Sequence, residues 1–120
     1  MYHVNQVIFI GNLGHDPEVL KSTEEGAFVR LKLATDEEYT DAKGKRNKTT
    51  QWHTVYLSNG LGKNVAAQLK KGNGVYVRGK LRTEKWDKNG QTQYTTAVHA
   101  IDCQLITPLK SMHEKVQVEA

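Results

Sequence analysis

Trp52 and Trp86 each sit in an alternating run. The first is Trp52-His53-Thr54-Val55-Tyr56-Leu57-Ser58. The second is Val75-Tyr76-Val77-Arg78-Gly79-Lys80-Leu81-Arg82-Thr83-Glu84-Lys85-Trp86. In an extended chain successive side chains point to opposite faces. Trp52, Thr54, Tyr56 and Ser58 then share one face, and so do Tyr76, Arg78, Lys80, Arg82, Glu84 and Trp86, while Val75, Val77, Gly79 and Leu81 take the other. Flat aromatic rings among cations can stack on bases and neutralise phosphates together. The ligand that presents both unpaired bases and phosphates is a single-stranded nucleic acid.

The elements that must carry these residues are mostly strands. Val4 to Gly11 is an apolar strand candidate broken by Gly11-Asn12-Leu13-Gly14, and Asp16-Pro17 favours a turn. Ala27 to Thr35 alternates: Ala27, Val29, Leu31 and Leu33 on one face, Phe28, Arg30 and Lys32 on the other. Asp36 to Gln51 is polar throughout and reads as a long exposed loop or hairpin tip. Its cations Lys43, Lys45, Arg46 and Lys48 are placed to close over a bound strand. A third strand spans Thr50 to Ser58. Leu61, Val65, Ala66 and Leu69 recur at helical spacing before Gly72, with Lys70 and Lys71 suited to a helix C-terminus. Gly74 to Trp86 forms a fourth strand, Asn89-Gly90 a tight turn, and Gln91 to Ile106 a fifth strand. The expectation is an all-β chain: a five-stranded OB-fold barrel with one short helix between strands 3 and 4. Residues 1–108 make the domain and residues 109–120 a short flexible C-terminal segment.

The chain has 120 residues, a single domain's length, with 38% hydrophobic and 25% charged residues. One cysteine, Cys103, excludes an internal disulfide framework and fits a reducing cytoplasm. The first ten residues carry neither the cations nor the apolar run of a signal peptide or membrane span. The net charge of +4 hides a segregation along the chain. Residues 1–42 carry three Lys/Arg against eight Asp/Glu, and residues 43–88 carry twelve against two. Clustered basic charge attracts phosphates through its field and through counterion release.

In order and spacing, several segments resemble the bacterial single-stranded DNA-binding protein family across about residues 4–106. They are Asn5 to Glu18, Leu33-Ala34-Thr35 before Asp36-Glu37-Glu38-Tyr39, Thr50-Gln51-Trp52-His53, Leu69-Lys70-Lys71-Gly72, Val75 to Thr83, and Lys85-Trp86 with Tyr94-Thr95-Thr96. The resemblance implies sequence-nonspecific binding of single-stranded DNA in replication, recombination and repair. It also implies a cytoplasmic, nucleoid-associated setting and assembly as a homotetramer of OB folds. It assigns base stacking to Trp52, Trp86 and Tyr39, the last where tryptophan is usual. Ser58 stands where the family commonly has phenylalanine; Tyr56, two residues earlier on the same face, is the expected partial substitute. His53 matches a family histidine at a subunit contact. The expected phosphate contacts are Arg30, Lys32, Lys43, Lys45, Arg46, Lys48, Arg78, Lys80, Arg82 and Lys85, with Phe28 as a further ring. The family typically ends in an acidic-tipped tail that recruits replication and repair partners. Here the chain ends with the lone acid Glu119, so either that recruitment is absent or the chain is truncated.

Catalytic readings find little. The five histidines show no paired metal-ligand spacing, and His99 with Cys103 lies in a strand rather than on a helix. Gly11-Asn12-Leu13-Gly14 lacks the Lys-Ser/Thr of a phosphate-binding loop. Asp16 with Glu18 forms no recognisable catalytic pair. No enzyme, cofactor, metal or membrane partner is expected. Two alternatives remain on the sequence: a primosome-type OB assembly protein that binds replication partners as well as single strands, and an RNA-binding OB protein.

Overall fold

The structure, a computed structural model, describes residues 2–106; the expected C-terminal segment 109–120 lies outside them. Six strands and one helix follow in the order β1 (Val7–Leu13), β2 (Glu18–Ser22), β3 (Ala27–Thr40), β4 (Arg46–Leu57), α1 (Asn59–Gln68), β5 (Gly74–Lys88) and β6 (Gln91–Leu105). The sheet runs β1-β5-β6-β4-β3-β2, and a β1–β3 pairing closes β1, β5, β6, β4 and β3 into a barrel. All pairings are antiparallel except β4–β6, which is parallel through Val55↔Val98 and Tyr56↔His99.

Fully buried Val29, Leu31 and Leu33 of β3, Val55 and Leu57 of β4, and Val75 and Val77 of β5 fill the barrel. Burying each such side chain contributes roughly 1.5–3 kcal/mol before the entropy of ordering it. Helix α1 adds Val65 to this core, and Leu69, just past its end, joins them.

The expectation of a helix between strands 3 and 4 is corrected: the helix lies between β4 and β5. The strand missing from the sequence reading is β2. Every residue in it is exposed, so it carries no apolar-in, polar-out signal. It exists because β3 offers it a free edge, with a bulge between Val19 and Lys21. Lys70 and Lys71 lie beyond the helix, whose last turn holds no base. Their backbone amides donate instead to Asn73 Oδ1 and Asp16 Oδ1.

The polar segment 36–51 is strand for most of its length. Strands β3 and β4 stay in register out to Thr40↔Arg46, forming an arm that projects past the barrel. Asp41 clasps its tip: one carboxylate oxygen accepts from the amides of Lys43 and Lys45, and the other accepts from the Asn47 side chain. The amide bonds, that of Lys45 foremost, and the Asn47 bond hold the Asp41 carboxyl below its ordinary value. Strands β5 and β6 form a second arm out to Lys88↔Gln91. Asn89 and Gly90 both take positive φ at its turn, the arrangement an Asn-Gly hairpin supplies.

Candidate nucleic-acid interface

Because alternate residues of β3 and β4 fill the barrel, the intervening ones face outward. The outward set on β3 is Phe28, Arg30, Lys32 and Ala34; on β4 it is Tyr56, Thr54 and Trp52, paired with Arg30, Lys32 and Ala34. The row continues round the barrel, since Tyr56 is in register with His99 of β6, and His99 with Lys80 of β5. Arg30, Tyr56, His99 and Lys80 therefore line up across four strands on one outer face.

Rings pave this face. Phe28 and Tyr56 lie 5.2 Å apart and parallel to within 2°. Tyr56 also meets His99 at 5.5 Å. The outer edge of the Trp52 six-membered ring meets the turn that follows β1: a Cβ on Gly14 would come within 2.2 Å of the indole, so only glycine leaves room for it. With its edge held this way, the indole remains 58% exposed. Trp86 stands on the second arm, 44% exposed, and its indole N–H donates to Thr95 Oγ1 at 2.9 Å. That bond fixes the ring's orientation while leaving π surface open.

The cations divide into committed and uncommitted ones. Arg30 donates to Glu18, Lys32 to Thr54 Oγ1 at 2.7 Å, and Arg46 to Glu38 at 2.9 Å. Lys48 pairs with Asp36 at 3.3 Å. Thr50 first, and Lys48 after it, hold the Asp36 carboxyl below its usual value. Glu18 foremost, then Tyr56, raises the pKa of the Arg30 guanidinium further. Among the described residues, the one ion pair on the second arm joins Arg82 to its near neighbour Glu84. Arg78 and Lys80 share the outward face with Trp86 by register.

Some expected site residues are set apart from this face. Tyr39, 53% exposed, has the parity of Leu33 and Thr35 and pairs with Asn47, so it lies on the side of the arm opposite Trp52. Lys85 shares its side of the second arm with Leu81 and Tyr94, opposite Trp86. Lys43 and Lys45 stand at the tip of the first arm. His53 faces inward at the barrel end, stacked on Phe9 at 4.0 Å with its Nε2 2.8 Å from Thr35 Oγ1. Burial lowers its pKa. Ser58 is the residue that precedes α1, and its hydroxyl makes no capping bond.

His99 is not among the site residues expected from the sequence. A register shift between Arg78 and Gly79 leaves Ile101 unpaired and sets His99 outward beside Tyr56, with Cys103 inward. The two therefore cannot share a ligand. His99 Nε2 is buried without a hydrogen-bond partner; burial first, then Arg82, lowers its pKa. Burial pushes the Cys103 thiol up to about 12, which leaves it inert as a nucleophile. Among the described residues no three His, Cys, Asp or Glu side chains are grouped to hold a metal, and no helix is long and apolar enough to cross a membrane.

Solved structures share this architecture. A deletion mutant of the single-stranded DNA binding protein from Thermus aquaticus superposes with a TM-score of 0.77 at 28% identity, over 88% of this chain. This chain spans about half, 52%, of that protein's length. The Plasmodium falciparum SSB, in complex with ssDNA, gives 0.70 at 26% identity, covering 89% of this chain and 96% of that one. The small single-stranded DNA-binding protein from Streptomyces coelicolor gives 0.65 at 24% identity over 88% and 96%, a likeness of fold. A sequence profile described as the Single-strand binding protein family matches residues 4–106, so the chain belongs to that family.

Proposed function

We propose that the protein binds single-stranded DNA without sequence preference, stacking bases on its outward rings and holding phosphates with the neighbouring cations. The observation that carries this reading is the exposure of Trp52 and Trp86 on outward, cationic sheet faces, each held at an edge by Gly14 or Thr95. Family membership and the ssDNA-bound Plasmodium falciparum relative support it. A stacked base is worth roughly 1–3 kcal/mol by alanine substitution, and every base offers a π face. Duplex DNA hides those faces and forfeits that term.

Coating exposed strands in this way would protect them during replication, recombination and repair, in the cytoplasm alongside the nucleoid. Assembly as a homotetramer forms part of the proposal. Ile8 and Ile10 point outward from β1, 52% and 65% exposed, and an apolar patch of that kind suits a subunit contact. His53, at the barrel end, is the second contact proposed.

Competition among oligo-dT, the matching RNA and the matching duplex at one fixed salt concentration tests the ligand. Oligo-dT should displace a labelled single strand well before duplex does; equal displacement by duplex would defeat the stacking mechanism. Light scattering tests assembly, with a tetramer mass expected and a monomer refuting it.

A further inference from the structure

At the end of the outer face farthest from Trp52, Lys21, Thr23, Gly26, Ala27, Phe28 and Asn59 enclose an open recess of about 200 Å³. It sits where the β2–β3 turn meets the start of α1. Phe28 lines the recess, and Tyr56, which stacks on Phe28, does not. One face of that ring is thus backed by a parallel ring.

We infer that this recess is a nucleotide subsite that receives one base and its phosphate from the strand crossing the outer face. Its volume falls below the roughly 300–1,000 Å³ of pockets that bury a drug-sized ligand, which suits a single unit of a longer chain. The Phe28 ring supplies a stacking surface, stiffened from behind by Tyr56. The Asn59 amide can both donate to and accept from a base edge. The Thr23 hydroxyl already donates to the Gly26 carbonyl and so presents its lone pairs.

Lys21 is in register with Phe28, and no acid pairs with it among the described residues. Its ammonium is therefore free for a phosphate. Glu24 and Glu25 belong to the same turn but do not line the recess. Phe28 lies six residues along β3 from Ala34, the partner of Trp52, or about 20 Å at the usual strand rise. A strand held at Trp52 must therefore have a minimum length to reach the recess.

This subsite rests on the proposed single-strand binding, and a length series of oligo-dT on the full chain tests the two apart. In the parent protein, affinity should step up once the oligonucleotide is long enough to span Trp52 and the recess. In such a long strand, one abasic position walked along it should weaken binding about 5- to 150-fold where it falls on Phe28, the range one base–aromatic stack covers. Phe28→Leu keeps bulk beside Tyr56 but removes the flat face, and should abolish that position's penalty. Lys21→Glu should weaken long strands and leave short ones unaffected. If the parent binds oligo-dT, yet Phe28→Leu keeps the penalty and Lys21→Glu binds long strands like the parent, the subsite is refuted and the broader function stands. If the parent binds no oligo-dT of any length, both readings fall together.

Discussion

The two arms look alike in outline and differ in what their cations do. On the β3–β4 arm, Arg46 and Lys48 face Glu38 and Asp36 across the sheet. On the β5–β6 arm, Arg82 pairs with its near neighbour Glu84, and the cross-strand contacts are made by hydroxyls: Thr83 pairs with Thr96 at 2.8 Å and Thr95 holds the Trp86 indole. A phosphate approaching Arg46 or Lys48 must displace a carboxylate, whereas Arg78 and Lys80, in the barrel wall at the foot of the second arm, make no ion pair among the described residues, with Asp102 opposite Arg78 in register. Counting positive residues therefore overstates how much each arm can offer a polyanion; pairing decides it.

Removing the rings breaks the comparison most sharply, because stacking does not depend on which cations are free. Trp52→Ala and Trp86→Ala should each lower the affinity for oligo-dT by roughly 1–3 kcal/mol, as measured by equilibrium titration of the purified variants. Two variants that bind like the parent would mean the rings are only structural.

Salt dependence comes next. Neutralising Arg78 and Lys80 should flatten the slope of log affinity against log salt by about 0.7 for each phosphate that loses its cation. Neutralising Arg46 and Lys48 should change it less. Conversely, Asp36→Asn with Glu38→Gln frees the first arm's cations, and should strengthen binding and steepen the slope by up to roughly 1.4. Equal slopes for the two arms would show that the acids do not compete with phosphate.

The smallest expected effect is on stability. Burial leaves His53 and His99 with folded-state pKa values below the ordinary 6.5. Between the folded and unfolded values the unfolded chain binds more protons, so stability rises with pH through that window and is lost as pH falls through it. The melting temperature should be lower at about pH 5.5 than at about pH 7.5, and replacing both histidines with glutamine should shrink that difference. The depressed Asp36 and Asp41 act only in stronger acid, because their stabilisation is present above the carboxylate range.

Much of this face is legible in the sequence because alternation is a local property. Val29, Leu31 and Leu33 inward implies Phe28, Arg30 and Lys32 outward, and the structure repeats that parity on β4. Features that depend on a partner strand are not legible. Strand β2 has no buried side and is made by the edge of β3. Segment 36–51 reads as loop because Tyr39 and Ala42 are its only hydrophobic residues; its strand character comes from cross-strand pairs, including the ion pairs of Asp36 and Glu38. Tyr39, three residues past Asp36, falls on the opposite side from Trp52 only once the unbroken register is known. His99 faces outward because of the irregularity around Ile101, which no spacing rule anticipates. Even the charge segregation dissolves on folding, as acids of the first third of the chain meet cations of the second.

Tryptophan emission during an oligo-dT titration of the parent protein reads the indoles themselves. Saturable quenching is expected, with Trp52→Ala and Trp86→Ala each retaining only the other ring's share. Tight, saturable binding that leaves the emission of both indoles unchanged would contradict a mechanism in which bases lie against them.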